Sequence, residues 1–297
     1  MHVLLRKPVS IFKRTALPTC RSASASISVL AIMVLLCCIC VSCARNLLFE
    51  PSSFYGSPKS ISTPAPETPT DPNKPYPLQT EPPFIVALDA GHGGGDTGAQ
   101  GLKMEVEVCE ATTDALYALL EADVNYAPIR TRPNGQDLST TDRAAVATAH
   151  RASLLISIHA NCDHSTGQSH GFECFPTPPG RTYTAESMRF AECITLQMSA
   201  AGHRLRGENG IRFLYYVDGG HRKKIVESSD TRVRDEKSFG MVEKPHCPAI
   251  LVEQCFLTNE SDVRTWASEE GCTRSAHIYY QAICLYFGTV PLEDAHR

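Results

Sequence analysis

Three short apolar runs constrain this chain more than any other feature. They are residues 84–88 (FIVAL), 153–158 (SLLISI) and 248–252 (PAILV), and each stops at a residue able to do chemistry: Asp89, His159 and Glu253. Runs of five or six residues, apolar with little alternation, suit strands covered on both faces. Helical stretches are expected between and after them, at 105–122, 139–151, 183–201 and 275–287, with a further strand at 124–131 and an edge strand at 171–175. Strands alternating with helices predict an α/β layered domain, a central mostly parallel or mixed sheet flanked by helices. In such sheets ligands gather at the carboxyl ends of the strands. The polar residues at those ends are His92, His159 and Glu253.

Charge divides the chain. Residues 1–83 hold eight Lys/Arg against four Asp/Glu, whereas 84–297 hold 20 against 28. An acidic body with one Trp excludes a nucleic-acid binder, which needs clustered cations to neutralise phosphates. A single long apolar run, 27–43, excludes a polytopic membrane protein. That run follows Arg6, Lys7, Lys13, Arg14 and Arg21, so residues 1–43 are expected to be a signal peptide or an N-terminal membrane or lipoprotein anchor. Its end, Cys40-Val41-Ser42-Cys43, resembles a lipoprotein processing site with Cys in place of the usual Leu. All these variants export the body to the cell envelope or periplasm. Residues 44–83 carry ten Pro among 40 positions and form an extended linker. The body is expected at 84–290. Its eight cysteines show no C-x-x-C pair; they read either as small buried apolar side chains or, in an oxidising compartment, as holding one or two disulfides.

Two His and one Glu at strand ends, with another Glu opening a helix, supply a recognisable inventory. Two imidazoles and one carboxylate are the ligand set of a catalytic zinc that keeps a fourth position for water. The metal brings that water's pKa to about 7, and an unligated carboxylate then serves as proton acceptor and donor. Glu105, Glu107 and Glu110 all compete for the acidic ligand position. Glu105 shares a helical face with Val108, Thr112, Ala115 and Leu119, while Glu107 and Glu110 align with Asp114 and Glu121, which favours Glu105 as the inward one. Gly91, Gly93, Gly94 and Gly95 give the backbone freedom to turn His92 inward. The GHGGG run lacks the Lys-Ser/Thr ending of a phosphate loop.

The blocks LDAGHGGGDTGAQG (88–101), SIHAN (157–161) with GFECF (171–175), and LVEQCFLTN (251–259) resemble the zinc-dependent N-acetylmuramoyl-L-alanine amidases that cleave bacterial peptidoglycan. They occur in that family's order, and the resemblance covers about residues 84–288. It implies Zn2+ held by His92, Glu105 and His159, with Glu253 as the catalytic base and acid. The family's usual Glu-Lys is Glu105-Val106 here, and Cys255 stands where a Gly is usual. Continued extended geometry puts Cys255 on the side of Glu253. Asp96 and Asn161 are expected to order the loops around the metal, by hydrogen bonds to a ligating His. The implied substrate is peptidoglycan or a lipid-linked muropeptide, with a protein activator left open. Rival readings are a zinc carboxypeptidase or endopeptidase on the stem peptide, and a non-catalytic wall-binding domain. Residues 204–244, rich in charge around Arg222-Lys223-Lys224, look longer than in minimal family members. They are expected to contact the acidic stem peptide, to restrain access to the cleft, or to form a solvated loop or hairpin.

Overall fold

The computed structural model describes residues 77–292. The leader expected at 1–43 and most of the linker expected at 44–83 fall outside the described residues. No described helix is long and apolar enough to cross a membrane.

The apolar runs become strands, and each carries its pairing one to three residues beyond the expected stop. In chain order the elements are β1 (Phe84–Ala90), α1 (Glu105–Ala122), β2 (Tyr126–Arg130), α2 (Thr140–Ala149), β3 (Leu154–Asn161), β4 (Glu173–Pro176), α3 (Thr184–Ala200), β5 (Arg212–Val217), β6 (Arg222–Glu227), α4 (Gly240–Glu243), β7 (Ala249–Phe256) and α5 (Glu269–Phe287). Five strands form one sheet in the order β2-β1-β3-β7-β4. The first four run parallel, and β4 closes the edge antiparallel. Strands β5 and β6 form a separate hairpin.

Both faces of the sheet are covered, as unbroken apolar runs require. On one face Val86, Leu88, Ile156, Ile158, Ile250 and Val252 pack against α1, α3 and α5 through Leu116, Phe190, Tyr279 and Ile283. On the other, Ala87, Leu155 and Leu251 meet Ala147 of α2, Met241 of α4 and Leu214 of β5. The chain leaves β1 toward β2 on one side and returns to β3 on the other, so the direction of winding reverses between β1 and β3. A crevice at the carboxyl ends is the geometric consequence of such a reversal.

Helix α1 buries Glu105, Val108, Cys109, Thr112, Thr113, Leu116 and Leu120, while Ala115 and Leu119 are only half-buried. The inward stripe is therefore rotated from the expected Ala115–Leu119 line. The cause is a second neighbour: α1 packs on α5 as well as on the sheet. The eight body cysteines are unpaired, in line with the apolar reading and against the disulfide one. Six of them are buried and behave as small apolar side chains.

One buried carboxylate stitches three parallel strands. Asp89 on β1 accepts from Thr131 Oγ1 beyond β2 at 2.5 Å, from Ser157 Oγ on β3 at 2.6 Å, and from Arg143 of α2 at 3.4 Å. Asp89→Ala leaves those buried donors short of an acceptor. The unfolding free energy is expected to fall by about 3 kcal/mol, read as a lower urea midpoint with an unchanged m-value.

Candidate functional site

The loop after β1 aims His92 into the crevice. His92 itself has φ 61° and Gly93 has φ 124°, so the chain passes through the left-handed region twice in succession. Gly91 is required for a different reason: a β-carbon there would sit 2.6 Å from His159 Nδ1. Two arginines hold this turn by its carbonyls. Arg132 donates to Ala90 O at 3.0 Å and Gly91 O at 2.9 Å. Arg143 donates to Ala90 O at 2.7 Å and to the His92 carbonyl. Sequence reasoning missed both arginines. Their only trace is a cation placed among Ala144, Ala147 and Thr131, positions that the element pattern buries.

Three side chains from β3, α1 and the β1 loop converge. Glu105 Oε1 lies 2.9 Å from His92 Nε2 and 2.9 Å from His159 Nδ1. It also accepts from Ala160 N at 3.2 Å, while Oε2 accepts from Ala99 N at 2.8 Å. The imidazole rings meet edge to face with centroids 4.9 Å apart. One donor atom from each of His92, Glu105 and His159 falls within 4.8 Å of the others. Two nitrogens and an oxygen that close together fit a divalent ion that keeps an open coordination position.

The remaining expected residues are placed as follows. Asp96 Oδ2 is 2.9 Å from His92 Nδ1, and its other oxygen accepts from Gly98 N. Asn161 reaches no imidazole; its amide donates to Glu173 at 2.7 Å. Glu107 is exposed, and Glu110 pairs with Arg132 at 2.7 Å, so neither approaches the cluster. Glu253 lies beside His159 in register on β7 and opposite Glu173 on β4. Its Oε2 has no hydrogen-bond partner. Cys255 does not share the Glu253 side. A register shift between the His159–Glu253 and Asn161–Phe256 pairs turns it into the core beside Val252.

Charge explains the titration behaviour. Burial pulls the His92 imidazole down, but the Glu105 and Asp96 carboxylates more than offset it and raise its pKa. Burial likewise opposes ionisation of Glu105, yet the hydrogen bonds of His159 and His92 hold it well below the usual carboxylate range. Burial pushes Glu253 well up, assisted by the charges of Glu105 and Glu173, with Lys223 acting against them.

These groups open into a cleft of about 470 Å³, also lined by Thr140, Cys162, Tyr216, Lys223, Phe239 and Met241. The charge-rich segment thus contributes a hairpin that walls the cleft. The family model described as N-acetylmuramoyl-L-alanine amidase matches residues 86–284, a span that includes His92, Glu105, His159 and Glu253. The chain is 38% identical over 186 residues to a putative N-acetylmuramoyl-L-alanine amidase of Buchnera aphidicola, covering 59% of this chain and 83% of that protein. It is 26% identical over 235 residues to the probable N-acetylmuramoyl-L-alanine amidase AmiB of Haemophilus influenzae, covering 69% of this chain and 52% of that protein. It therefore spans about half the length of the latter. The fold is shared with the catalytic domain of CwlV, an N-acetylmuramoyl-L-alanine amidase from Bacillus (Paenibacillus) polymyxa. That match has a TM-score of 0.56 at 24% identity, over 70% of this chain and 99% of that one.

Two substitutions probe the geometry. Gly91→Ala pushes the His159 ring away from Glu105 and is expected to weaken binding of a divalent metal about tenfold or more in a chelator competition. Asp96→Ala removes one of the two carboxylates that raise His92. In a histidine NMR titration of the metal-free protein, the His92 midpoint is expected to fall.

Proposed function

The chain belongs to the N-acetylmuramoyl-L-alanine amidase family, matched over residues 86–284, and we propose that its cleft hydrolyses peptidoglycan with the help of a zinc ion held by His92, Glu105 and His159. The bond broken is the amide between the lactyl group of N-acetylmuramic acid and the L-alanine of the stem peptide. One observation carries this reading: two imidazoles meet a single carboxylate oxygen in a cleft that also receives Glu253.

Zinc at that donor set supplies an acidified water and polarises the scissile carbonyl. The protein's own residues do the rest. Asp96 holds His92 by Nδ1, which leaves Nε2 aimed at the cluster and fixes the ring. Glu253 takes the attacking water's proton on a carboxylate oxygen and returns it to the amide nitrogen as the C–N bond breaks. Its raised pKa suits that double role. A cation held by Glu105 would offset the charge that helps raise Glu253, and so would lower its pKa from the metal-free position.

Export completes the reading. We place residues 1–43 as the leader or anchor, 44–83 as a spacer, and the body in the envelope, where wall polymer or lipid-linked muropeptide is met during septum splitting or turnover. A defined muropeptide followed by mass spectrometry tests the chemistry. The parent is expected to release a peptide beginning at L-Ala, and a chelator to stop it. Glu253→Gln should keep zinc and lose about a hundredfold to ten-thousandfold in turnover. Release of terminal D-Ala instead, or a Gln variant as fast as the parent, sinks the mechanism.

A further inference from the structure

We propose that Lys223 reads the stem peptide: its ammonium binds a free carboxylate on the peptide side of the scissile amide, on a wall shared with Tyr216 and Phe239. The proposal rests on the amidase reading above and adds the group that selects the substrate.

Lys223 stands directly across the hairpin from Tyr216, and both line the cleft with Glu253 and Phe239. The Phe239 ring meets Tyr216 edge-on with centroids 6.1 Å apart, and Lys223 Nζ lies 5.4 Å from its centroid. Among the residues lining the cleft, Lys223 is the one Lys or Arg. It makes no ion pair among the described residues, while Arg206, Arg212, Arg222, Arg232 and Arg234 of the same segment each hold a carboxylate. The hairpin that carries it is anchored to the sheet, since Arg212 bridges Glu173 at 2.7 Å and Glu227 at 2.8 Å. Lys223 is thus an ammonium on a braced support, with its charge uncommitted.

Position tells which part of the substrate it meets. Glu253 returns a proton to the leaving nitrogen, so the peptide leaves past Glu253. Lys223 lines the same cleft as Glu253, and its hairpin is braced on Glu173, which stands opposite Glu253 across β4 and β7, so it is set beside the departing peptide. Glu253, when ionised as the base, would repel a carboxylate brought to this side. An unpaired cation offsets that repulsion and turns it into discrimination between acid and amide.

The test uses the full-length zinc-loaded chain and two synthetic muropeptides that differ only in whether the second stem residue carries a free α-carboxylate or its amide. The parent is expected to favour the acid by about tenfold to a hundredfold in kcat/KM, expressed in KM. Lys223→Met should bring the two substrates within about twofold of each other, and Lys223→Arg should retain the preference. A parent that treats both alike, or a Met variant that loses equally on both, overturns the proposal while leaving the amidase reading intact. A parent that cleaves neither overturns both.

Discussion

The site depends on a turn that its own residues would not adopt unaided. His92 sits at positive φ between Gly91 and Gly93, a conformation that costs a non-glycine residue free energy. What over-determines it is a pair of buried guanidinium groups, Arg132 from the end of β2 and Arg143 from α2, which between them take the carbonyls of residues 90, 91 and 92. Arg143 is in turn tied to Asp89, the carboxylate that links β1 to β3. The strand order, the turn and the aim of the first imidazole are one connected assembly. Loosening any part of it disturbs the His92–Glu105–His159 cluster without touching it.

The cleft is also an electrostatic arrangement. Glu105, Glu173 and Glu253 are packed close together, and each is handled differently. Glu105 is satisfied by two imidazoles and two backbone amides. Glu173 is neutralised by Arg206 and Arg212 and accepts from Asn161. Glu253 alone keeps an oxygen without a partner, which is the condition for it to exchange protons. Separating three carboxylates by their surroundings is how one small space assigns them different work.

Much of this was legible beforehand because it is local. Strands β1, β3 and β7 follow from unbroken apolar runs, and the reactive residues His159 and Glu253 stand where those runs end. Helix α1 was placed correctly, but its stripe was not, because packing on α5 is a tertiary fact that periodicity does not contain. Asn161 was expected near an imidazole and instead serves Glu173, a partner 12 residues away on the edge strand. Arg132 and Arg143 escaped notice because their acceptors are backbone carbonyls about 40 to 50 residues distant, and a carbonyl leaves no mark in a sequence. The hairpin was anticipated only as one outcome for a charged segment. Which of its residues face the cleft is decided by strand pairing.

The irregularity in β7 has a wider consequence. Up to Glu253 the strand alternates between its two covered faces, and after the register shift Gln254 and Cys255 both belong to the helical side, where Gln254 donates to Trp266 O. The reactive carboxylate is thereby insulated from the residues that follow it. Drift at 254 and 255 is constrained by how α5 and the Trp266 turn fit together, and the chemistry is shielded from it. A strand that would otherwise present alternate residues to the crevice presents one carboxylate there and no second polar group behind it.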